Sequence, residues 1–171
     1  MKTSMANVSR DLILQGNEWT EVIDKLVAGQ NKGNIFPTNY HLFFLAASIG
    51  INQEKIIESF LPVEDQRSIP RTAQSNNAEI IDYLFETAVL STDCLNMNDT
   101  EKLNYVFANE NFNTSDKMEV LLKFANYGVT ILKECISDID EETIDNINNK
   151  CKKLFSDVDI DKLFEKLEEI E

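Results

Sequence analysis

The sequence predicts an all-α protein, a single-domain helical bundle of about six to eight helices around a buried central helix pair. Three observations carry that expectation. Apolar residues recur at helical spacing along most of the chain, only 5 Gly and 3 Pro punctuate 171 residues, and two segments are apolar around most of their circumference. A helix with one apolar stripe lies at a surface, whereas one that is apolar all round must be enclosed by other elements. So few turn formers leave little material for the tight turns of a sandwich or barrel. Residues 1–171 therefore read as one domain, with residues 134–171 as an acidic C-terminal helical segment of it.

The elements follow in order. Trp19, Val22, Ile23, Leu26 and Val27 fall at helical spacing, with Gly29 as the stop, and Gln30–Asn34 form a loop. The central segment then runs from Ile35 to Gly50. Pro37 suits a first helical turn, where its missing N–H breaks no bond, and Gly50 suits a left-handed helix end. A short helix over Gln53–Phe60, capped by Asn52 and stopped by Pro62, is expected next. Leu61–Asn77 reads as the one long connection, with Pro62, Pro70 and a cluster of polar residues; loops of that length are often functional.

Asn76 with Glu79 has the spacing of a capping box and opens a helix bearing Ile80, Ile81, Leu84, Phe85, Ala88 and Val89 on one face. Asn98 with Glu101 repeats the pattern before Leu103, Val106 and Phe107. Ser115 or Asp116 starts the longest element, with Met118, Leu121, Leu122, Ala125, Val129, Leu132 and Ile136 as its main stripe and Phe124, Tyr127 and Ile131 broadening it. Gly128 in mid-helix costs about 1 kcal/mol against alanine, so it points to a close helix approach. Phe44, Ala47, Leu121 and Ala125 are the expected core of the central pair. Beyond them, Ile144, Ile147, Cys151 and Leu154, then Ile160, Leu163, Phe164, Leu167 and Ile170, mark narrow stripes on charged outer helices.

The formal charge of −14 is uneven: residues 134–171 carry 5 basic and 13 acidic side chains, a net of −8. Such a chain repels nucleic acid and anionic membranes, so direct nucleic-acid binding is not expected. The three cysteines, Cys94, Cys135 and Cys151, are odd in number and lack C-x-x-C spacing, which suits free thiols in a reducing cytoplasm. The first residues lack the apolar core of a signal peptide, and Leu42–Ala47, the longest apolar run, is too short for a bilayer, so a cytoplasmic protein without membrane attachment is expected.

Motifs that could carry chemistry are few. Asp157, Asp159, Asp161 and Glu168 occupy positions 1, 3, 5 and 12 of a calcium loop, but Lys162 stands where the sharp turn needs glycine. Acidic residues opening a helix account for them through capping and the helix dipole. His41 is the sole histidine and suits a helix start better than catalysis. No dinucleotide, phosphate-loop or nucleophile-elbow motif occurs, so neither catalytic residues, a metal nor a cofactor is expected. Arg67 and Arg71, two of the three arginines, are the candidate partner- or anion-binding residues, because paired guanidiniums hold carboxylates or phosphates bidentately. Intramolecular salt bridges are the favoured alternative on so acidic a chain.

The block Ile35, Phe36, Pro37, Thr38, Leu42, Phe44, Ala46, Ala47 and Gly50 resembles the N-terminal signature of the small Dnd-system-associated proteins. Phe124, Ala125, Asn126, Tyr127 and Gly128, with Ile131 and Leu132, are similar to a second helix of that family. The two blocks cover about a fifth of the chain, in the family's order, and they are fold-forming rather than catalytic. The acidic segment after Ile136 has no counterpart. The resemblance implies a non-enzymatic accessory or adaptor role beside bacterial DNA phosphorothioation and restriction, exercised on a protein partner. The alternative, motivated by the charge after residue 133, is an acidic decoy that occupies the nucleic-acid site of a basic partner.

Overall fold

The computed structural model describes residue 8 and residues 10–29, 35–108 and 112–155. Within them the order is β1 (Leu12–Leu14), α1 (Asn17–Leu26), α2 (Asn39–Asn52), β2 (Arg67–Ile69), α3 (Arg71–Asn76), α4 (Ala78–Ser91), α5 (Asp99–Leu103) running into a π turn (Asn104–Ala108), α6 (Thr114–Lys133) and α7 (Asp140–Phe155). The helical bundle with a central pair is what the chain forms. The acidic motif at Asp157, Asp159, Asp161 and Glu168, the stripe from Ile160 to Ile170 and the loop Gln30–Asn34 lie outside the described residues.

The pair is α2 and α6, which share the most extensive contact in the fold. No residue of α2 is exposed, and in α6 only Glu119 is. Their crossing is antiparallel and is set by two glycines. A Cβ on Gly50 would lie 2.7 Å from the carbonyl carbon of Phe124 and closer still to its oxygen. A Cβ on Gly128 would lie 2.7 Å from the Cα of Ala46, again with the carbonyl oxygen nearer. Each helix thus presses a bare backbone position onto the other's main chain. Gly128 serves the close approach its mid-helix place suggested. Gly50 is inside α2, which continues to Asn52, and it is not a left-handed terminus. Pro37 likewise stands before the N-cap Thr38, outside the first turn.

Around the pair, Trp19, Phe43, Phe85 and Phe124 are the largest fully buried side chains. Ala47, Leu121 and Ala125 are buried as expected, but Phe44 is only half-buried and its neighbour Phe43 fills the core position. α1 and α4 pack on α6, and α7 lies against α2 through the side containing Thr143 and Ile147. On α4 the core takes Ile81, Phe85, Ala88 and Val89, whereas Ile80 turns outward.

Capping decides several boundaries. Asn98 with Glu101 and Asn113 with Asp116 both form reciprocal capping boxes, opening α5 and α6. The box expected of Asn76 and Glu79 does not form. α3 runs through Asn76, and Asn77, the residue before α4, donates its side-chain amide back to the Ala73 carbonyl. The helix expected over Gln53–Phe60 is also absent. Glu54 takes a positive φ of 50°, and the chain leaves α2 extended, with the Ile57 N–H donated to the Lys123 carbonyl of α6. Leu61–Asn77 is likewise not one structureless loop, since it contains β2 and α3. β2 pairs antiparallel with β1, Leu12 opposite Ile69, Ile13 opposite Ser68 and Leu14 opposite Arg67.

Gly50→Ala and Gly128→Ala should each remove about 3 kcal/mol or more, because the added methyl meets backbone that no rotamer change can move. Gly29→Ala, at φ 80° with open space around it, should cost about 1 kcal/mol of left-handed strain. Phe43→Ala should cost about 3–5 kcal/mol and Phe44→Ala clearly less. Urea unfolding monitored by circular dichroism orders all five.

Candidate functional site

Arg67 and Arg71 are four residues apart in sequence but differ in what surrounds them. Arg67 sits on β2, and its guanidinium is turned into the molecule, with 15% of the side chain exposed. Its Nη2 donates to Asp24 of α1 at 2.6 Å, its Nε reaches the same oxygen at 3.3 Å, and its Nη1 donates to Asp65. The two carboxylates hold the guanidinium above its ordinary pKa, chiefly through their hydrogen bonds. The same hydrogen bond holds the Asp65 carboxyl below the usual carboxylate range. Arg67 is thereby a strut between β2 and α1, with its donors committed to its own chain. Arg71 opens α3 and is exposed; its backbone N–H, not its guanidinium, is donated to Asp11 at 2.9 Å.

His41 lies in the first turn of α2, half-buried, with Nδ1 2.9 Å from the Thr38 hydroxyl and its ring stacked on Tyr40 at 4.0 Å between centroids. It is a helix-start histidine. Cys135 is buried and Cys94 and Cys151 are half-buried, all as free thiols. Burial pushes the Cys135 and Cys151 thiols up, which keeps them protonated and poor nucleophiles. Among the described residues no group of three or more His, Cys, Asp and Glu is placed to hold a metal ion, and no helix is long and apolar enough to cross a membrane.

The candidate site is a groove of about 310 Å³ beside β1. One wall is Arg10–Ile13 with Gln15, the other is Glu58–Phe60, and the floor is Glu119, Leu122 and Asn126 of α6. The floor residues are spaced three and four apart and so share one helix face. Asn126 fixes the base of the groove. Its Oδ1 accepts from the buried Trp19 indole at 2.9 Å, and its Nδ2 donates to the Ile57 carbonyl at 3.1 Å, tying α1, α6 and the extended segment together. Phe60 closes one end against Gly16, where a Cβ would lie 2.6 Å from that of Phe60. Of the lining carboxylates, Glu119 pairs with Arg10, and Glu58 with Lys123 of α6 at 2.7 Å.

The sequence marked none of these residues as a site. The alternation in Leu12, Ile13 and Leu14, with the first and last buried and Ile13 exposed, is the local signal of a strand, but three residues are too few to separate it from helical periodicity. Comparison with protein-family models, with curated proteins and with solved structures returns no match.

Arg67→Ala should cost about 1–3 kcal/mol, since it leaves the partly buried Asp24 carboxylate without its guanidinium donor. Arg71→Ala should stay within about 0.5 kcal/mol of wild type. Asp65 adds a pH signature of known sign. Its folded pKa is depressed, so its stabilisation is present above the unfolded carboxylate range and is lost as pH falls through the folded value. Urea midpoints measured between pH 7 and pH 3 should drop less steeply in Asp65→Asn than in wild type.

Proposed function

We propose that this chain is a non-enzymatic accessory protein that works through protein–protein contacts, in the setting its sequence resemblance implies, the cytoplasm of a bacterium with a DNA-modification or phage-defence system. The observation that supports this reading is the outer face of α4. Ile80, Tyr83 and Leu90 are 48, 70 and 39% exposed, and with Thr87 they recur at helical spacing, forming one row along the helix. Single exposed apolar residues are ordinary on any surface, whereas an ordered row with a tyrosine at its centre has the composition of a contact surface.

Glu79 and Glu86 flank the row, and the chain carries a net −14. A partner with an apolar centre and basic groups at its rim complements that surface, while nucleic acid is repelled by it. A decoy of nucleic acid would need carboxylates at the centre of the contact; on α4 the centre is aromatic.

The test begins in a host where the gene stands beside phosphorothioation or restriction genes. Each neighbouring protein is co-expressed with this chain and the pair is passed over a sizing column. Ile80→Ser with Tyr83→Ser should leave the unfolding transition within about 0.5 kcal/mol per site and abolish co-elution. Co-elution that survives the double substitution, or wild-type protein that elutes alone with every neighbour, overturns the reading.

A further inference from the structure

We propose that the groove beside β1 receives an extended, basic segment of a partner protein, which adds to the sheet as a third strand. The inference goes beyond the accessory-protein reading, and its site shares no residue with the α4 row.

The first argument is backbone geometry. The sheet has two strands among the described residues, with β2 on one side of β1 and an outer edge on the other. Among the described residues, Leu12, Ile13 and Leu14 make no main-chain hydrogen bond except within that sheet. Side chains of successive strand residues point to opposite faces. Leu12 points into the core and Ile13 away from it, yet both border the groove together with Arg10 and Asp11. Consecutive residues of opposite orientation line one cavity when the cavity runs along the strand's edge. The groove therefore offers a strand edge that no described residue pairs with, the feature on which recognition by β-strand addition depends.

Charge identifies the occupant. Three carboxylates, of Asp11, Glu58 and Glu119, border the groove against the one guanidinium of Arg10. Glu58 stands on the wall and Glu119 on the floor, and their side chains are 68 and 49% exposed. Their present pairs with Lys123 and Arg10 are surface ion pairs, which contribute little and exchange readily. An incoming lysine or arginine can take over either carboxylate, while apolar side chains on the other face of the added strand meet Leu122 and Phe60. The segment that fits alternates basic and apolar residues.

A terminally blocked octapeptide alternating valine with arginine is the probe, titrated into the full chain at low salt. Saturable binding is expected, with slowed amide exchange at Leu12–Leu14. Glu58→Lys with Glu119→Lys should weaken it about tenfold or more, the scale of one charge-assisted hydrogen bond. The same peptide N-methylated at every residue keeps its charge but has no amide N–H on either edge to donate to a strand, and it should not bind. Ile80→Ser with Tyr83→Ser should bind the peptide as wild type does, which separates this result from the fate of the α4 surface. Equal binding of the methylated peptide, protection elsewhere than β1, or no saturable binding overturns the proposal. The methylation arm uses wild-type protein, so it decides even where the charge-reversed variant fails to fold.

Discussion

The fold depends on two backbones meeting without side chains between them. Gly50 and Gly128 sit where α2 and α6 cross, and each stands over the other helix's main chain near Ala46 or Phe124. Dispersion falls steeply with distance, so the near approach gains packing along the whole length of both helices, not only at the crossing. That gain is available only because neither position carries a Cβ. It also explains why both helices are covered on nearly every side: with their axes drawn together, α1, α4 and α7 can surround the pair in one layer. The cost of mid-helix glycine, about 1 kcal/mol each against alanine, is a term that such packing offsets.

The helices were legible because they are long and periodic. α1, α6 and α7 lie where their apolar spacing put them, and Asn98 caps α5 as its spacing to Glu101 suggested, whereas α6 opens at Thr114 behind the cap Asn113, just ahead of the expected Ser115 or Asp116. What was not legible depended on distant partners. Gly50 ends an apolar run, and a glycine there means a left-handed terminus or a packing contact depending on what stands opposite; Phe124 stands 74 positions away. Gln53–Phe60 has helical spacing, but its main chain is bonded to α6 through Ile57 and Lys123, and a tertiary hydrogen bond overrode a local propensity. Phe43 and Phe44 are adjacent aromatics in a segment apolar all round, where periodicity cannot say which of them faces the tighter side.

The same distinction governs the candidate sites. Arg67 was visible as a residue type, but its use was fixed by Asp24, 43 residues earlier and on another element. A guanidinium with two carboxylates already in place is a cross-link, and desolvating it from them to bind an external anion would forfeit charge-assisted bonds. Arg71, one turn of chain later, has no such side-chain role in the ion pairs described and stays at the surface. The groove was invisible because its parts come from three separated stretches, residues 10–15, 58–60 and 119–126, none of which carries a motif.

Those three stretches are held by the core they border. Asn126 belongs to α6 four positions from Leu122 on the groove floor, and its amide spends both ends, on Trp19 and on Ile57. A buried amide satisfied at both ends resists rotation, because turning it would leave an indole N–H and a carbonyl without partners. The wall at Glu58–Phe60 is thus tied to the helix that supplies the floor, and the bare backbone at Gly16 lets Phe60 close the end. The strand wall is braced independently, by the pairing of β1 with β2 and by Arg67 clamping β2 to α1. The floor belongs to α6, one wall is bonded to that helix and the other to β2 and α1, so an entering segment would meet a groove already shaped, with little ordering left to oppose binding.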